Sequence, residues 1–135
     1  MSFIAIKNLT TRYNTSKGLV HALEDVTFSI DKGESIGIAG ESACGKSTLG
    51  LSIIQMISNG KIYSGKIEFD GKSLLDVPSD EFDKTIRWKE ISMIFQGAMN
   101  SLDPVFSIQQ QFEEILKQHN FEGDSKQSII QSLNS

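Results

Sequence analysis

The sequence has 135 residues, with 13 Lys and Arg against 17 Asp and Glu and a formal net charge of −4 at pH 7, which leaves no basic footprint for nucleic acid. A hydrophobic share of 39%, with 11 Gly and only 2 Pro, excludes a disordered or fibrous chain and suits one domain that buries about two thirds of its unfolded surface. One cysteine excludes an internal disulfide framework and fits a reducing compartment.

The N-terminal MSFIAIKN has no charged segment followed by an apolar stretch, so no signal peptide is expected. Phe3 to Ile6 is apolar and β-prone. Val26, Phe28 and Ile30 alternate with Thr27 and Ser29 at the period of a half-buried strand. Asp31-Lys32-Gly33 is a turn signal. The run SIGIA, Ser35 to Ala39, predicts a short buried parallel strand. Lys46 to about Ile57 predicts a helix with Leu49, Ile53, Met56 and Ile57 on one face and Asn59-Gly60 at its end. Its apolar run is too short to span a bilayer, so a membrane role would come through a partner.

Lys66 to Phe69 leads into Asp70-Gly71, the pair favoured in a two-residue type I′ hairpin turn. Ser79 is expected to cap a short helix. Asp80 and Glu81 suit its positive end, Phe82 and Ile86 share a face, and Trp88 is a packing residue. ISMIF, Ile91 to Phe95, predicts another buried strand. Ser107 and Gln110 form a capping box ahead of a stripe of Ile108, Phe112, Ile115 and Leu116. A second helix is expected from Asp124, with Ile129, Ile130 and Leu133 apolar. His21 and His119 are isolated, with no ligand spacing for a metal.

The segment Gly40-Glu41-Ser42-Ala43-Cys44-Gly45-Lys46-Ser47 satisfies G-x-x-x-x-G-K-[ST] in full. Gly40 and Gly45 allow backbone angles and close approaches that a side chain would block. Backbone N–H groups from about Ser42 to Thr48 can then converge on phosphate oxygens, and the helix after them aims its positive end at the same anion. Lys46 supplies a point charge for the β- and γ-phosphates, and Ser47 offers a hydroxyl to Mg²⁺. The apolar run before the loop and the amphipathic helix after it are the context this chemistry requires.

HALEDVTFSIDKGESIGIAGESACGKST (His21 to Thr48), SGKIEFDGKSLL (Ser64 to Leu75) and EISMIFQGAMNSLDPVFSI (Glu90 to Ile108) each carry a further likeness. Together they resemble the ATPase subunit of ATP-binding-cassette (ABC) transporters, most closely its oligopeptide and dipeptide importer branch. The resemblance covers nearly all of residues 1–120. It implies an α/β P-loop NTPase fold of the ABC type. Residues 1–100 would be the ATP-binding core, with an N-terminal antiparallel β-subdomain, Walker A loop and Q-loop. Residues 101–135 would be the start of the helical subdomain.

The resemblance also implies roles. Tyr13 stands where the family has an aromatic ring that stacks on adenine, and Val20 adds apolar contact. Ala43 and Cys44 fill variable Walker A positions beside the adenosine phosphates. Gln96 matches the Q-loop glutamine, a Mg²⁺ ligand and γ-phosphate sensor. Residues Gly97 to Phe106 correspond to the surface that meets the transmembrane subunit. ATP and Mg²⁺ are the implied cofactors. Transmembrane permease subunits and a second ATPase subunit are the implied partners, and the cytoplasmic face of the cell membrane is the implied place.

Two departures stand out. Gly97 and Ala98 replace an acidic residue and a proline that often follow the glutamine, which loosens the hinge. Cys44 stands where Gly or Ser is usual, and its thiol lies near Lys46 and a helix N-terminus, a setting that lowers a thiol pKa. The family's Walker B aspartate, catalytic glutamate, LSGGQ-type signature and switch histidine are not found in these residues. The resemblance is therefore to an N-terminal part that binds ATP rather than turning it over. Missing sheet partners would leave an edge prone to self-association. A soluble ABC-type ATPase of translation or DNA repair is the alternative reading. A GTPase is disfavoured by the lack of N-K-x-D, and a kinase lid by having only Arg12 and Arg87 as arginines.

Overall fold

A computed structural model describes residues 2–97 and 102–134. Ala98, and with it positions 98–101 of the segment matched to the permease surface, lies outside the described residues. The chain divides into two compact units, one ending at Met93 and the other beginning at Ile94.

The first unit is built on a long antiparallel hairpin. Strands β1 (Ser2–Thr15) and β2 (Gly18–Asp31) pair through Thr15 and Gly18 around Ser16 and Lys17. The Thr15 hydroxyl accepts from the Lys17 amide at 3.3 Å and donates to the Gly18 carbonyl at 2.7 Å, so a threonine side chain closes this turn. Strand β3 (Gly60–Phe69) pairs with the other side of β1, and β4 (Lys72–Ser73) with β3, giving the order β2-β1-β3-β4. Asp70 at φ 46 and Gly71 at φ 76 both take the positive values that a type I′ turn demands, as expected. Val26, Phe28 and Ile30 are half-buried while Thr27 and Ser29 are exposed, the alternation read from the sequence.

Paired irregularities twist this sheet. Asn8 (φ 51) and Asp25 (φ 52) sit at register shifts on facing strands, and Asn8 Nδ2 donates to Asp25 Oδ1 at 2.6 Å. Ile6, Leu9 and Ile67 bury fully on the inner face. Helices α1 (Lys46–Ile53) and α2 (Ser79–Thr85) contribute Leu49 and Phe82 to the same core, with Leu74 between.

Several expectations change. Residues 34–40 form no strand, and Ile36 and Ile38 are 40% and 50% exposed. A parallel strand exists only by pairing, and no described strand pairs with this run. ISMIF is likewise not a strand. Only an isolated bridge joins Ile91 to Arg87, and Ile94 is 96% exposed.

Helix α1 stops at Ile53 rather than near Ile57, and Met56 is exposed. Gln55 turns left-handed at φ 53 and its amide meets the Ser52 carbonyl at 3.3 Å, while the Met56 amide meets the Leu51 carbonyl at 2.9 Å. That is a Schellman ending with Gln where glycine is usual. Arg87 reinforces it, donating to the Ile54 and Gln55 carbonyls at 2.9 and 3.1 Å.

Pro78, not Ser79, is the N-cap of α2, because its fixed φ of −55 supplies the entry geometry and its carbonyl receives the Phe82 amide. Trp88 lies beyond that helix at φ 64.

The second unit holds α3 (Ile108–Gln118) and α4 (Ser125–Leu133). The Ser107–Gln110 capping box is present, and Asp124 caps α4 by accepting from the Gln127 amide at 3.1 Å. Helix α3 fully buries none of its residues: Phe112 and Leu116 of its stripe are half-buried and Ile108 and Ile115 exposed, whereas Ile129 of α4 is buried.

Phe82→Ala is expected to destabilise the first unit by about 3 kcal/mol or more, because it empties a fully enclosed ring site. Phe106→Ala, at a ring 55% exposed, is expected to change stability by about 0.5 kcal/mol or less. Urea midpoints compare the two, and equal shifts would contradict this account of the core.

Candidate functional site

The loop from Gly40 to Gly45 turns through two left-handed residues, Ala43 at φ 63 and Gly45 at φ 95, directly into α1. Gly45 has no alternative. A Cβ there would collide with the Ala22 carbonyl of β2 and stand 2.9 Å from Leu23 Cδ2. At Gly40 a Cβ would fall 2.6 Å from Cys44 Sγ, a side-chain atom that can turn aside, so the backbone constraint lies at Gly45.

The N-terminus of α1 is left open. Gly45 is its N-cap, no side chain caps it, and its first turn holds no acid. Leu49 is the first residue whose amide reaches a helical acceptor, the Gly45 carbonyl at 2.9 Å. The amides of Lys46, Ser47 and Thr48 therefore precede the hydrogen-bond ladder, at the positive end of the helix dipole. Such an end is a ready anion site.

A cleft of about 280 Å³ collects Ala43, Cys44, Gly45, Lys46, Ser47 and Thr48 with Tyr13 and Val20. Tyr13 and Val20 face each other across the β1–β2 ladder. The Tyr13 hydroxyl donates to Thr48 Oγ1 at 3.3 Å, which ties the strand to the first turn of α1. Deeper in, Thr11 Oγ1 and Ser52 Oγ lie 3.1 Å apart, both fully buried, and Ser52 Oγ donates to the Thr48 carbonyl at 2.7 Å. His21 and Ala22 also line the cleft and were not singled out from the sequence, nor was the Thr11–Ser52 link. The signal for Ala22 was indirect, since a glycine that cannot bear a Cβ implies a neighbouring backbone.

Of the remaining candidates, Gly40 sits outside the lining but receives Lys46, and Ser42 is exposed in the loop's turn. Gln96 belongs to the second unit, exposed at a bend.

Lys46 Nζ donates to the Gly40 carbonyl at 2.7 Å, the Glu41 carbonyl at 2.6 Å and Cys44 Sγ at 3.2 Å. The Lys46 ammonium, by that bond to sulfur, holds the Cys44 thiol below the usual thiol range. Beside the cleft, Arg12 Nε reaches Glu24 Oε1 at 3.0 Å and His21 Nδ1 reaches the same oxygen at 2.6 Å. The Arg12 hydrogen bond is the main reason the Glu24 carboxyl titrates below its ordinary range. Among the described residues, no three His, Cys, Asp or Glu side chains gather to hold a metal ion.

The sequence model of the ABC transporter family matches residues 23–135. The chain is 40% identical over 125 residues to the oligopeptide transport ATP-binding protein OppD of Haemophilus influenzae, covering 93% of this chain and 38% of that protein. It is 41% identical over 118 residues to the dipeptide transport ATP-binding protein DppD of Lactococcus lactis subsp. cremoris, covering 87% of this chain and 34% of that protein. The chain thus spans about a third of the length of these curated relatives. Among solved structures, it superposes with a TM-score of 0.75 on a dimeric, post-hydrolysis ATP-binding cassette bound to ADP and Pi, at 24% identity over 97% of this chain and 56% of that one. A dimeric bacterial ABC transporter cassette gives a TM-score of 0.72 at 25% identity, over 97% of this chain and 54% of the other.

Two outcomes test the loop geometry. Gly45→Ala is expected to lower stability by about 1–3 kcal/mol, read from the thermal midpoint, because the new Cβ meets β2 backbone at a left-handed residue. A wild-type midpoint would mean that Ala22 can yield. The iodoacetamide reactivity of Cys44 is expected to rise with pH through a midpoint below the ordinary thiol range. Lys46→Ala should move that midpoint up, since it removes the charge that stabilises the thiolate. An unmoved midpoint would contradict the assignment.

Proposed function

The chain belongs to the ABC transporter family, and on that footing we propose that it carries the nucleotide-binding part of a subunit coupling ATP binding and hydrolysis to import of oligopeptides or dipeptides. The observation that carries this reading is the uncapped start of α1, with Lys46 beside it, opening into a cleft walled by Tyr13 and Val20. The relatives named for oligopeptide and dipeptide transport support the substrate class.

The residues present fit a nucleoside triphosphate. Phosphate oxygens would replace the Gly40 and Glu41 carbonyls as acceptors for Lys46, and would accept from the amides of Lys46, Ser47 and Thr48. Gly45, which leaves no room for a Cβ against the Ala22 carbonyl, lets the backbone come this close. Tyr13 and Val20 would meet the adenine ring. Ser47 is the loop residue that would hold Mg²⁺, which when bound neutralises charge on the β- and γ-phosphates, and the same role is proposed for Gln96 from its match to the family's glutamine.

Within this proposal, residues 1–100 act as the ATP-binding core and residues 101–135 as the start of a helical subdomain. Positions 97–106 face transmembrane permease subunits, and a second ATPase subunit completes the site for hydrolysis. Among the described residues no helix is long and apolar enough to cross a membrane, in keeping with attachment to the cytoplasmic face through those permeases.

Isothermal titration of the 135-residue chain tests the reading. Lys46→Ala is expected to weaken ATP binding about tenfold or more. Tyr13→Ala should weaken ATP several-fold while leaving inorganic triphosphate unchanged, since the ring acts on the base. Absence of ATP binding by the wild-type chain, or equal losses for both ligands in Tyr13→Ala, would overturn the assignments.

A further inference from the structure

Tyr13 is the middle member of a row across three strands. Val20 of β2 stands opposite it on one side and Gly60 of β3 on the other. Directly opposed side chains in a sheet touch, so a glycine in such a pair leaves its neighbour a gap to fill. The Tyr13 ring takes that gap. A Cβ on Gly60 would stand 2.8 Å from Tyr13 Cδ1, 2.9 Å from Ile57 Cγ2 and 2.7 Å from the Arg12 carbonyl.

Torsion angles do not explain this glycine. The φ of Gly60 lies outside the left-handed region, unlike those of Gly45 and Gly65. Glycine weakens a strand, and the close approach of a neighbour is one reason for a strand to carry it. The Asn14 amide donates to the Asn59 carbonyl at 2.7 Å, so this end of β3 is fastened to β1 beside the ring.

The ring is held at its tip as well. Its hydroxyl donates to Thr48 Oγ1 at 3.3 Å, and the Thr48 carbonyl accepts from Ser52 Oγ at 2.7 Å. Tyr13 and Val20 line the cleft, whereas Gly60 and Ile57 are not in its lining. The ring therefore stands between Gly60 and the cleft. A methyl group at position 60 would lift it off β3, and the space on its other side is the cleft.

We propose that Gly60 is a positioning residue for base recognition. By bearing no side chain it seats the Tyr13 ring against β3 and keeps open the space between ring and Val20 that a planar nucleotide base enters. The proposal rests on the nucleotide-binding reading and adds a residue to its base end.

Isothermal titration of the 135-residue chain with ATP and with inorganic triphosphate tests it. Gly60→Ala is expected to weaken ATP about fivefold or more, the lower end of what one base–ring stack contributes, and to leave triphosphate unchanged. In the Tyr13→Ala background the same substitution should weaken ATP no further, since no ring remains to displace. Gly37→Ala, whose Cβ would meet nothing within 4 Å, should leave both affinities unchanged. A nuclear Overhauser contact between Gly60 Hα and the Tyr13 ring protons is expected in the free and the ATP-saturated chain. That measurement needs no variant, so it keeps the test decisive if Gly60→Ala does not fold. Unchanged ATP affinity in Gly60→Ala, a matching loss for triphosphate, a further loss in the Tyr13→Ala background, or disappearance of the Overhauser contact on saturation would overturn the proposal. A wild-type chain that binds neither ligand would overturn the nucleotide-binding reading, and this proposal with it.

Discussion

Gly45 stands at the point where three parts of the first unit must meet. Its left-handed backbone turns the Gly40–Gly45 loop into α1, and the space its missing Cβ leaves is filled by the Ala22 carbonyl of β2. Any other residue would push loop and strand apart. The cleft needs both, because one end comes from the loop and its Tyr13–Val20 wall from the β1–β2 hairpin. A backbone contact, not a side-chain interaction, therefore sets the width of the site. Glycine at this position is as much about packing against β2 as about torsion angles.

Behind that contact, small polar groups fix how α1 lies on the sheet. Thr11 and Ser52 are fully buried and answer each other's hydroxyls, and Tyr13 reaches Thr48 one turn earlier. A buried hydroxyl pair fixes register as well as depth, since sliding α1 by one residue would take Ser52 away from the buried Thr11 hydroxyl. At its far end the helix is held by Arg87, whose donors meet the carbonyls of Ile54 and Gln55. The helix is thus fastened at each end and leaves only its first amides open to the cleft.

Much of this was legible in the sequence, and the failures have physical causes. The phosphate loop, the Asp70-Gly71 turn, the β2 alternation and the Ser107–Gln110 box are local features, set by residues within a few positions of each other. The turn, the alternation and the box are present as read. The two segments wrongly read as buried strands, Ser35 to Ala39 and Ile91 to Phe95, depend on pairing partners elsewhere in a chain, which apolar runs alone do not supply. The end of α1 was misplaced because Gln55 takes the left-handed position where glycine was sought. Its side chain, donating to the Leu74 carbonyl at 2.6 Å, is one tertiary contact holding it there. Ser79 looked like a cap, but Pro78 before it already fixes the entry angle. The G-x-x-x-x-G-K-[ST] positions could be named from spacing, whereas His21, Ala22 and the Thr11–Ser52 link are consequences of strand pairing and carry no motif. The family reading came from the density of matched segments and is met by the family comparison.

The irregularity at Asp25 has a bearing on how the protein behaves in a crowded solution. β2 is the outer strand of its sheet and runs from Gly18 to Asp31, long enough to invite a neighbouring chain to add to it. Its left-handed residue at Asp25, held by Asn8, interrupts that row of outward amides and carbonyls near the middle. A second chain approaching this edge meets two short ladders offset by a kink instead of one continuous template. The same bulge that seats β1 against β2 thus blunts the edge as a seed for fibrous pairing.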